Sequence, residues 1–393
     1  MSPSSSRSDS GLFSGVLGRG GSAAQVDDEA WLRAMLEVEK ALAQAAARVG
    51  AVAAPAAEAV ADACSDPGRF DPAELGRAAV AAGNPVVPLV QRIRALVPAD
   101  AGRAVHFGAT SQDVLDTALV LVSKRAMRPL AGDLAAAAAA AAALALDHRD
   151  TLMAGRTLLQ QAVPVTFGLK AAGWMTMLDG AGVRVSRAAG SLPVQYGGAA
   201  GTLSAADGHG LAILADLATS LGLAEPVLPW HTARLPVADL AAALGAACGV
   251  VAKVATDVVL LAQTEVAEVE EGVTGRGGSS TMAHKANPVA AVSARAAARR
   301  APGLVAGLLS SMEAEHERAA GAWHAEWETL SDLLRATGSA AAWLRDCLEN
   351  LRVHPTRMTA NLSDDLQGAT TGDAQALVDR ALARHQPPHR ESR

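Results

Sequence analysis

One short loop gathers several groups that could act on a charged substrate. From residue 277 to 288 it reads Gly-Gly-Ser-Ser-Thr-Met-Ala-His-Lys-Ala-Asn-Pro. The glycines let the backbone adopt positive φ and expose N–H groups. Ser279 adds a hydroxyl, Lys285 a cation and Asn287 an amide, just before an expected helix. This set, with the helix-terminal N–H groups, suits a negatively charged, oxygen-rich substrate. A plain Gly/Ser linker would not need Met282 or the Lys-x-Asn-Pro ending.

Two other segments carry neutral and charged donors. Residues 106–114 read His-Phe-Gly-Ala-Thr-Ser-Gln-Asp-Val, and residues 155–162 read Gly-Arg-Thr-Leu-Leu-Gln-Gln-Ala. Thr110 and Ser111 lie where a loop is expected to enter a helix, a position suited to binding a carboxylate. An ordinary helix N-cap explains the same residues and is compatible with that role.

The loop resembles the signature of the fumarase/aspartase superfamily, Gly-Ser-Ser-x-Met-Pro-x-Lys-x-Asn-Pro. It departs from that pattern at Ala283, which replaces a proline and loses its fixed φ. The resemblance implies that Ser279 is the catalytic base, activated by nearby N–H groups and a cation. It implies that Lys285 and Asn287 hold a substrate carboxylate.

The other two segments are similar to the same superfamily. The resemblance implies a homotetramer in which each active site combines segments from three subunits, and it implies neither metal nor cofactor. The expected substrate-binding residues are His106, Thr110, Ser111, Gln112, Arg156, Gln160, Gln161, Ser280, Met282 and His284.

Two positions separate the subfamilies. Superfamily lyases carry a histidine where this chain has Leu158, and adenylosuccinate enzymes carry a glutamate where it has Val292. Residues 83–90, 108–113, 155–174, 229–232 and 315–327 instead resemble bacterial 3-carboxy-cis,cis-muconate cycloisomerases. Leu158 departs from this subfamily too, where tryptophan is usual. The Trp- and His-rich tract 315–327 fits a subunit contact as well as a catalytic role.

The implied reaction interconverts 3-carboxy-cis,cis-muconate and 4-carboxymuconolactone, a step of protocatechuate degradation through the β-ketoadipate pathway. Its substrate is a small polycarboxylate. Two alternatives stay open: a lyase that releases fumarate from a succinyl adduct of the adenylosuccinate or argininosuccinate type, and a catalytically silent scaffold of the same superfamily.

The elements that must position these segments are helices. The sequence predicts an all-α fold, a long helical bundle with smaller helical N- and C-terminal domains. We expect a flexible segment over 1–26, an N-terminal domain over 27–110, the central bundle over 111–345, and a short helical piece with a disordered tail over 346–393. The long helices are predicted from Gln112 to Asp147 with a break near Pro129, from Pro164 to Gly190, from Val237 to Glu271, and onward from Pro288.

Composition excludes several classes of protein. The chain has 393 residues, half of them hydrophobic but only 3% aromatic, with a net charge of −6. It has no basic run and few rings that could stack on bases, which argues against nucleic-acid binding. Its three cysteines are far apart, which indicates reduced thiols rather than disulfides or a metal site. We expect a soluble cytoplasmic protein that does not bind a membrane.

Overall fold

Helices make up most of the chain. The computed structural model describes residues 11–278, 281–282, 285–366 and 368–385. The helices within these ranges are α1 Ser14–Leu17, α2 Asp28–Arg48, α3 Ala54–Cys64, α4 Pro72–Ala82, α5 Val86–Leu96, α6 Ser111–Asp147, α7 Phe167–Gly190, α8 Gly210–Leu221, α9 Leu235–Leu261, α10 Val289–Ala298, α11 Ala301–Ser310, α12 Ala322–Glu349, α13 Pro355–Ala360 and α14 Ala374–Leu382. The prediction of an all-α fold is confirmed, whereas the domain boundaries stay a prediction.

Four long helices, α6, α7, α9 and α12, pack together as the centre of the molecule. Alanines at their contacts, among them Ala138, Ala141 and Ala255, are completely buried. Small side chains let the helix axes approach closely, which explains how a chain with few aromatic residues builds a long bundle. Trp174 of α7 is an exception, and its ring nitrogen donates to Asp257 of α9 at 2.7 Å.

The described residues also form two small antiparallel sheets. Strands β1 Leu152–Thr157 and β2 Gln160–Thr166 form a hairpin between α6 and α7. Strands β3 Val269–Glu271 and β4 Leu351–Val353 join the segment after α9 to the segment after α12. The first pair, with its turn, contains residues 155–162, and β3 of the second pair precedes the loop of residues 277–288.

The ends of the N-terminal helices follow local sequence rules. Asp27 caps α2, its side chain accepting from the Ala30 N–H at 2.7 Å. Gly50 has a φ of +80°, which ends that helix as predicted. Asp71 caps α4, and Pro72 occupies its first turn.

Two predictions about the long helices are wrong at their ends. Helix α9 ends at Leu261 rather than at Glu271, because the chain turns back to bury Glu268 and to pair β3 with β4. Helix α7 begins at Phe167 rather than at Pro164, since residues 160–166 form a strand and Thr166 caps the helix. Tertiary pairing overrides helix propensity at both places.

Two prolines act in opposite ways. The predicted break near Pro129 is absent, and α6 runs through it with Met127 and Leu130 buried on either side. Packing along both flanks offsets the lost backbone hydrogen bond. The predicted single helix after Pro288 is instead split. Pro302 lies in the first turn of α11, where α10 has ended, and α12 starts only at Ala322.

The interior also accounts for the apolar stretches and the thiols. Helices α6 and α9 are long and apolar enough to span a membrane by length and composition alone, yet both pack against α7 and α12 in the bundle. Cys64, Cys248 and Cys347 are free and buried, in agreement with the prediction of reduced thiols.

Candidate active site

The start of α6 is fixed by a buried carboxylate. Thr110 is the N-cap of α6, and its N–H donates to Asp113 Oδ2 at 2.9 Å in a capping box. The N–H groups of Gly197 and Gly198 also donate to Asp113, each at 2.9 Å. His231 Nε2 lies 2.7 Å from the same carboxylate. Gly197, Gly198 and the loop that carries His231 are thereby held against residues 106–114, which we call the first motif segment.

One turn further along α6, a buried ion network begins. Asp116 accepts from both terminal nitrogens of Arg234, at 2.7 and 3.0 Å. Arg234 also pairs with Glu326 of α12, and Trp323 donates its ring N–H to Asp116 at 3.0 Å. Burial opposes the charge of Arg234, but the two carboxylates outweigh it and raise its pKa. The network joins α6, α9 and α12 at one end of the bundle.

Gln112 is part of this framework. It is completely buried, and its amide donates to Asp116 at 3.1 Å and to the His231 carbonyl at 2.9 Å. Its carbonyl oxygen accepts from Arg318 at 2.8 Å. Ser111 beside it is half-buried. The predicted role of Gln112 in substrate binding would require one of these contacts to open.

His106 is paired with a buried acid. Its Nδ1 lies 2.6 Å from Glu39 Oε1, and its backbone N–H donates to Glu39 Oε2 at 3.0 Å. Burial opposes a charge on the ring, but Glu39, with a contribution from Asp113, outweighs that cost and raises the pKa of His106. The ring of His106 is therefore easier to protonate than the ring of a free histidine.

Residues 155–162, the second motif segment, lie in the β1–β2 hairpin, and Arg156 of this segment is also paired. Arg156 contacts Glu268 through two nitrogens, at 2.6 and 3.0 Å, and Glu268 is completely buried. Asn361 donates to the same carboxylate at 2.9 Å. Gln161 donates to the Asn361 carbonyl and accepts from the Ser363 N–H. These contacts hold the hairpin against the segment that follows α13.

The tip of the hairpin is strained and exposed. Leu158 and Leu159 form its two-residue turn, with φ values of +51° and +64°. Such a turn prefers Asn-Gly, because side chains with a Cβ are disfavoured at positive φ. The two leucines are 96% and 73% exposed, and Gln160 is exposed beside them. Because both side chains are so exposed, their contacts with the described residues do little to offset this cost.

In the described part of the signature loop, Asn287 is hydrogen-bonded to Gly277. Both the backbone N–H and the side-chain amide of Asn287 donate to the Gly277 carbonyl, each at 2.9 Å. Gly277 has a φ of +80°, and a Cβ there would collide with the Asn287 carbonyl oxygen. Asn287 thus has a structural contact in addition to its predicted contact with substrate.

The N–H groups at the start of α10 already have a partner. Glu271 accepts from Ala290 at 3.0 Å and from Ala291 at 2.8 Å. The expectation that helix-terminal N–H groups bind the substrate is therefore wrong for these two residues. A carboxylate at this position is what the positive end of the helix favours.

The remaining predicted residues lie on the surface or outside the described ranges. Met282 and Lys285 are exposed. Ser279, Ser280, Ala283 and His284 lie outside the described residues. Within the described ranges, no cluster of three His, Cys, Asp or Glu side chains is placed to hold a metal ion.

Comparison with known proteins identifies the family. A family described as lyases matches residues 22–303. The chain belongs to that lyase family. It is 46% identical to a nitrosuccinate lyase of Streptomyces davaonensis, over 92% of this chain and 78% of that protein. It is 45% identical to a 3-carboxy-cis,cis-muconate cycloisomerase of Bradyrhizobium diazoefficiens, over 94% of this chain and 83% of that protein.

The fold agrees with this membership. The crystal structure of 3-carboxy-cis,cis-muconate lactonizing enzyme from Pseudomonas putida superimposes with a TM-score of 0.85 and 36% identity, covering 95% of this chain and 87% of the other. The resemblance stated from the sequence motifs, to the superfamily and within it to the cycloisomerases, is confirmed.

The motif segments lie at two opposite ends of the bundle. We name the end with Thr110–Asp116, His231–Arg234 and Arg318–Glu326 the network end, and the end with the hairpin and the signature loop the hairpin end. Helix α6 separates them, and its 37 residues span about 55 Å. Helix α12 runs the same way, from Trp323 beside Asp116 to Asn350, which accepts from the Gly272 N–H.

Several buried, paired residues were not among the predicted site residues. Glu39, Arg234 and Glu268 lie outside the quoted motifs or in a part that departs from them, and their partners are 67 to 118 positions away in sequence. His231 and Arg318 lie in tracts already matched to cycloisomerases, so the signal for these two was present.

Proposed function

We propose that this chain interconverts 3-carboxy-cis,cis-muconate and 4-carboxymuconolactone, as an isomerase of aromatic degradation. The observation that carries the proposal is a relative named for this reaction, which is 45% identical over 94% of this chain. The P. putida structure supports it, since it aligns over 95% of the chain. The proposed substrate is a small polycarboxylate.

In the lactonising direction, a carboxylate oxygen of the substrate adds to a double bond and a proton is added at the neighbouring carbon. In reverse, a base removes the proton α to a carboxylate, and the electron pair forms the double bond as the lactone oxygen leaves. Ser279 is proposed to transfer this proton. Lys285 and Asn287 are proposed to stabilise the negative charge that builds on the adjacent carboxylate.

Leu158 fits a reaction of this kind. The group that leaves in the reverse direction is a carboxylate, which departs as a stable anion and needs no proton from an acid. A lyase that expels an amine does need such an acid. An apolar residue at the hairpin tip, where superfamily lyases carry a histidine, is compatible with an anionic leaving group.

The separation of the motif segments supports our proposal that copies of the chain associate. One chain holds the first segment about 55 Å from the hairpin, so a single active site requires a second copy. The exposed, strained leucines of the hairpin tip supply a surface for such a contact. We infer a soluble, cytoplasmic homotetramer with shared active sites.

The direct test is incubation of the purified protein with 3-carboxy-cis,cis-muconate, followed by the loss of diene absorbance. We expect a decrease that depends on enzyme and stops at equilibrium with the lactone. A constant absorbance with folded, assembled protein would reject the proposal.

A second candidate is elimination from nitrosuccinate, which the relative at 46% identity favours. Removal of a proton from the CH2 group, which is α to the second carboxylate, forms the double bond as nitrite leaves, and the product is fumarate. This is a fumarate-releasing reaction with an anionic leaving group. A colorimetric nitrite assay on nitrosuccinate separates the two. Nitrite release without loss of diene absorbance would replace the first candidate by the second.

A further inference from the structure

A fully buried glutamate lies beside the first motif segment. Glu39 is on α2, outside the three motif segments, and none of its surface is exposed. A carboxylate withdrawn from water is costly unless it is paired and hydrogen-bonded. The partners of Glu39 therefore indicate what the residue does.

Both oxygens of Glu39 contact the same residue. Oε1 lies 2.6 Å from His106 Nδ1, and Oε2 accepts the His106 backbone N–H at 3.0 Å. His106 has a φ of +60°, which a residue with a side chain seldom adopts. One carboxylate thus holds both a strained backbone and the orientation of the ring.

The contact decides which ring nitrogen can reach a ligand. In the described part of the chain, Glu39 is the hydrogen-bonding partner of the His106 ring, and it occupies Nδ1. With a carboxylate at Nδ1, that atom carries its proton, and Nε2 on the other side of the ring points away from that carboxylate. The His106 side chain keeps a small exposed fraction, 14%, and it precedes Thr110 and Ser111 by four and five residues in the sequence.

The charges around the ring come from several helices. Glu39 of α2 and Asp113 of α6 favour the charged ring, whereas Arg94 of α5 and burial oppose it. Cys64 of α3 faces Glu39, and burial keeps it a neutral thiol by raising its pKa to about 12. Lys40 also acts on that thiol but is exposed toward Ser65. The carboxylates outweigh the opposing effects.

We propose that Glu39 is a positioning residue that keeps His106 protonated and oriented, so that its Nε2–H binds a substrate carboxylate at the network end. This rests on the proposed function only for the identity of the substrate, a small polycarboxylate. His106 acts as a fixed cationic donor and moves no proton in the reaction. The reaction needs no acid for its leaving group, which agrees with this role.

The pH dependence has a defined sign. A raised pKa keeps His106 protonated to higher pH, so carboxylate binding is present at low pH and declines as pH rises through that pKa. Removing the charge of Glu39 lets burial and Arg94 dominate, so the decline moves to lower pH. Binding by the variant would therefore decline at a lower pH than binding by the wild type, and it would recover as the solution is acidified.

The experiment compares Glu39→Gln with Glu37→Gln. Glu37 lies on the same helix but pairs with Arg125 and is well exposed, so it controls for the substitution itself. His106 is titrated by NMR, and binding of propane-1,2,3-tricarboxylate is measured by calorimetry at pH 6 and pH 8. Neither readout requires turnover, so each remains informative if the muconate assay fails.

We expect Glu39→Gln to lower the pKa of His106 and to weaken tricarboxylate binding by about tenfold at pH 8 and less at pH 6. KM for muconate should rise similarly while kcat changes little. Glu37→Gln should match the wild type. If Glu39→Gln does not fold, Glu39→Asp provides the test, with protonation retained and orientation loosened. An unchanged titration and unchanged binding, with or without lower stability, would overturn the proposal.

Discussion

The two ends of the bundle differ in how far their residues are buried and held by contacts within the chain. At the network end, Asp113 and Asp116 are buried and each has several partners from separate segments. At the hairpin end, the Arg156–Glu268 pair holds the base of the hairpin, but the leucines at the tip are strained and exposed. The carboxylates of the network end are paired within the described residues, whereas the tip of the hairpin end presents an exposed surface.

This difference indicates a division of work. A preorganised end binds without reorganisation, because its dipoles are fixed before the substrate arrives. We propose that the end with exposed, strained residues is completed by contact with another copy. On this proposal, packing within one chain and assembly between chains set different parts of the same site.

The largest effect is expected from Ser279→Ala at the hairpin end. Loss of the proposed base should lower kcat by roughly 10²–10⁴-fold, while KM and the assembled state change little. Ser310→Ala, at the end of α11, is a matched control and should be neutral. Turnover near that of the wild type in an intact Ser279→Ala assembly would remove Ser279 from the mechanism.

The two buried arginines should differ in their effect on stability. Arg234→Met leaves two buried carboxylates without their cation and should lower the free energy of unfolding by about 3–5 kcal/mol. Arg156→Met strands one carboxylate, which Asn361 still contacts, and Arg156 is itself 24% exposed, so the loss should be smaller. Urea unfolding at one protein concentration measures both losses.

Arg33→Met provides the baseline for that pair. Arg33 forms an exposed contact with Glu29 along α2, of a kind that contributes little. Its unfolding midpoint should match the wild type. Equal losses for Arg234→Met and Arg156→Met would show that the network end is not the more strongly coupled of the two.

A smaller effect of opposite sign is expected at the hairpin tip. Replacing Leu158 and Leu159 together by Asn-Gly places residues that tolerate a positive φ at both positions of the turn. The replacement should stabilise the chain by about 1 kcal/mol. If the tip contacts another copy, association or KM should worsen in the same variant. Gains in both stability and activity would mean that the strain serves no function.

The helical fold could be predicted from the sequence because alanine-rich helices and their caps are local features. Asp27, Gly50 and Pro72 act as their types predict. The end of α9 could not be predicted, because it depends on Glu268 meeting Arg156 across 112 positions. The unbroken helix at Pro129 likewise depends on packing from other elements.

In the candidate site, too, local sequence patterns could be predicted and contacts between distant residues could not. Residues of the motif segments were found because their types and order resemble a known pattern. Glu39 was not, since one glutamate on an amphipathic helix carries no signal until its partner His106 is located. Gln112 and Asn287 were found, but their contacts within the chain were not foreseeable from their types.

The most direct measurement is complementation between defects at the two ends. Ser279→Ala impairs the hairpin end, and His106→Ala combined with Ser111→Ala impairs the network end. The two inactive proteins are unfolded, mixed in equal amounts and refolded together. If each active site joins ends from different copies, the mixture should recover about a quarter of wild-type activity, because each site draws an intact copy for each end half of the time. Activity no higher than that of either parent would contradict a site shared between copies.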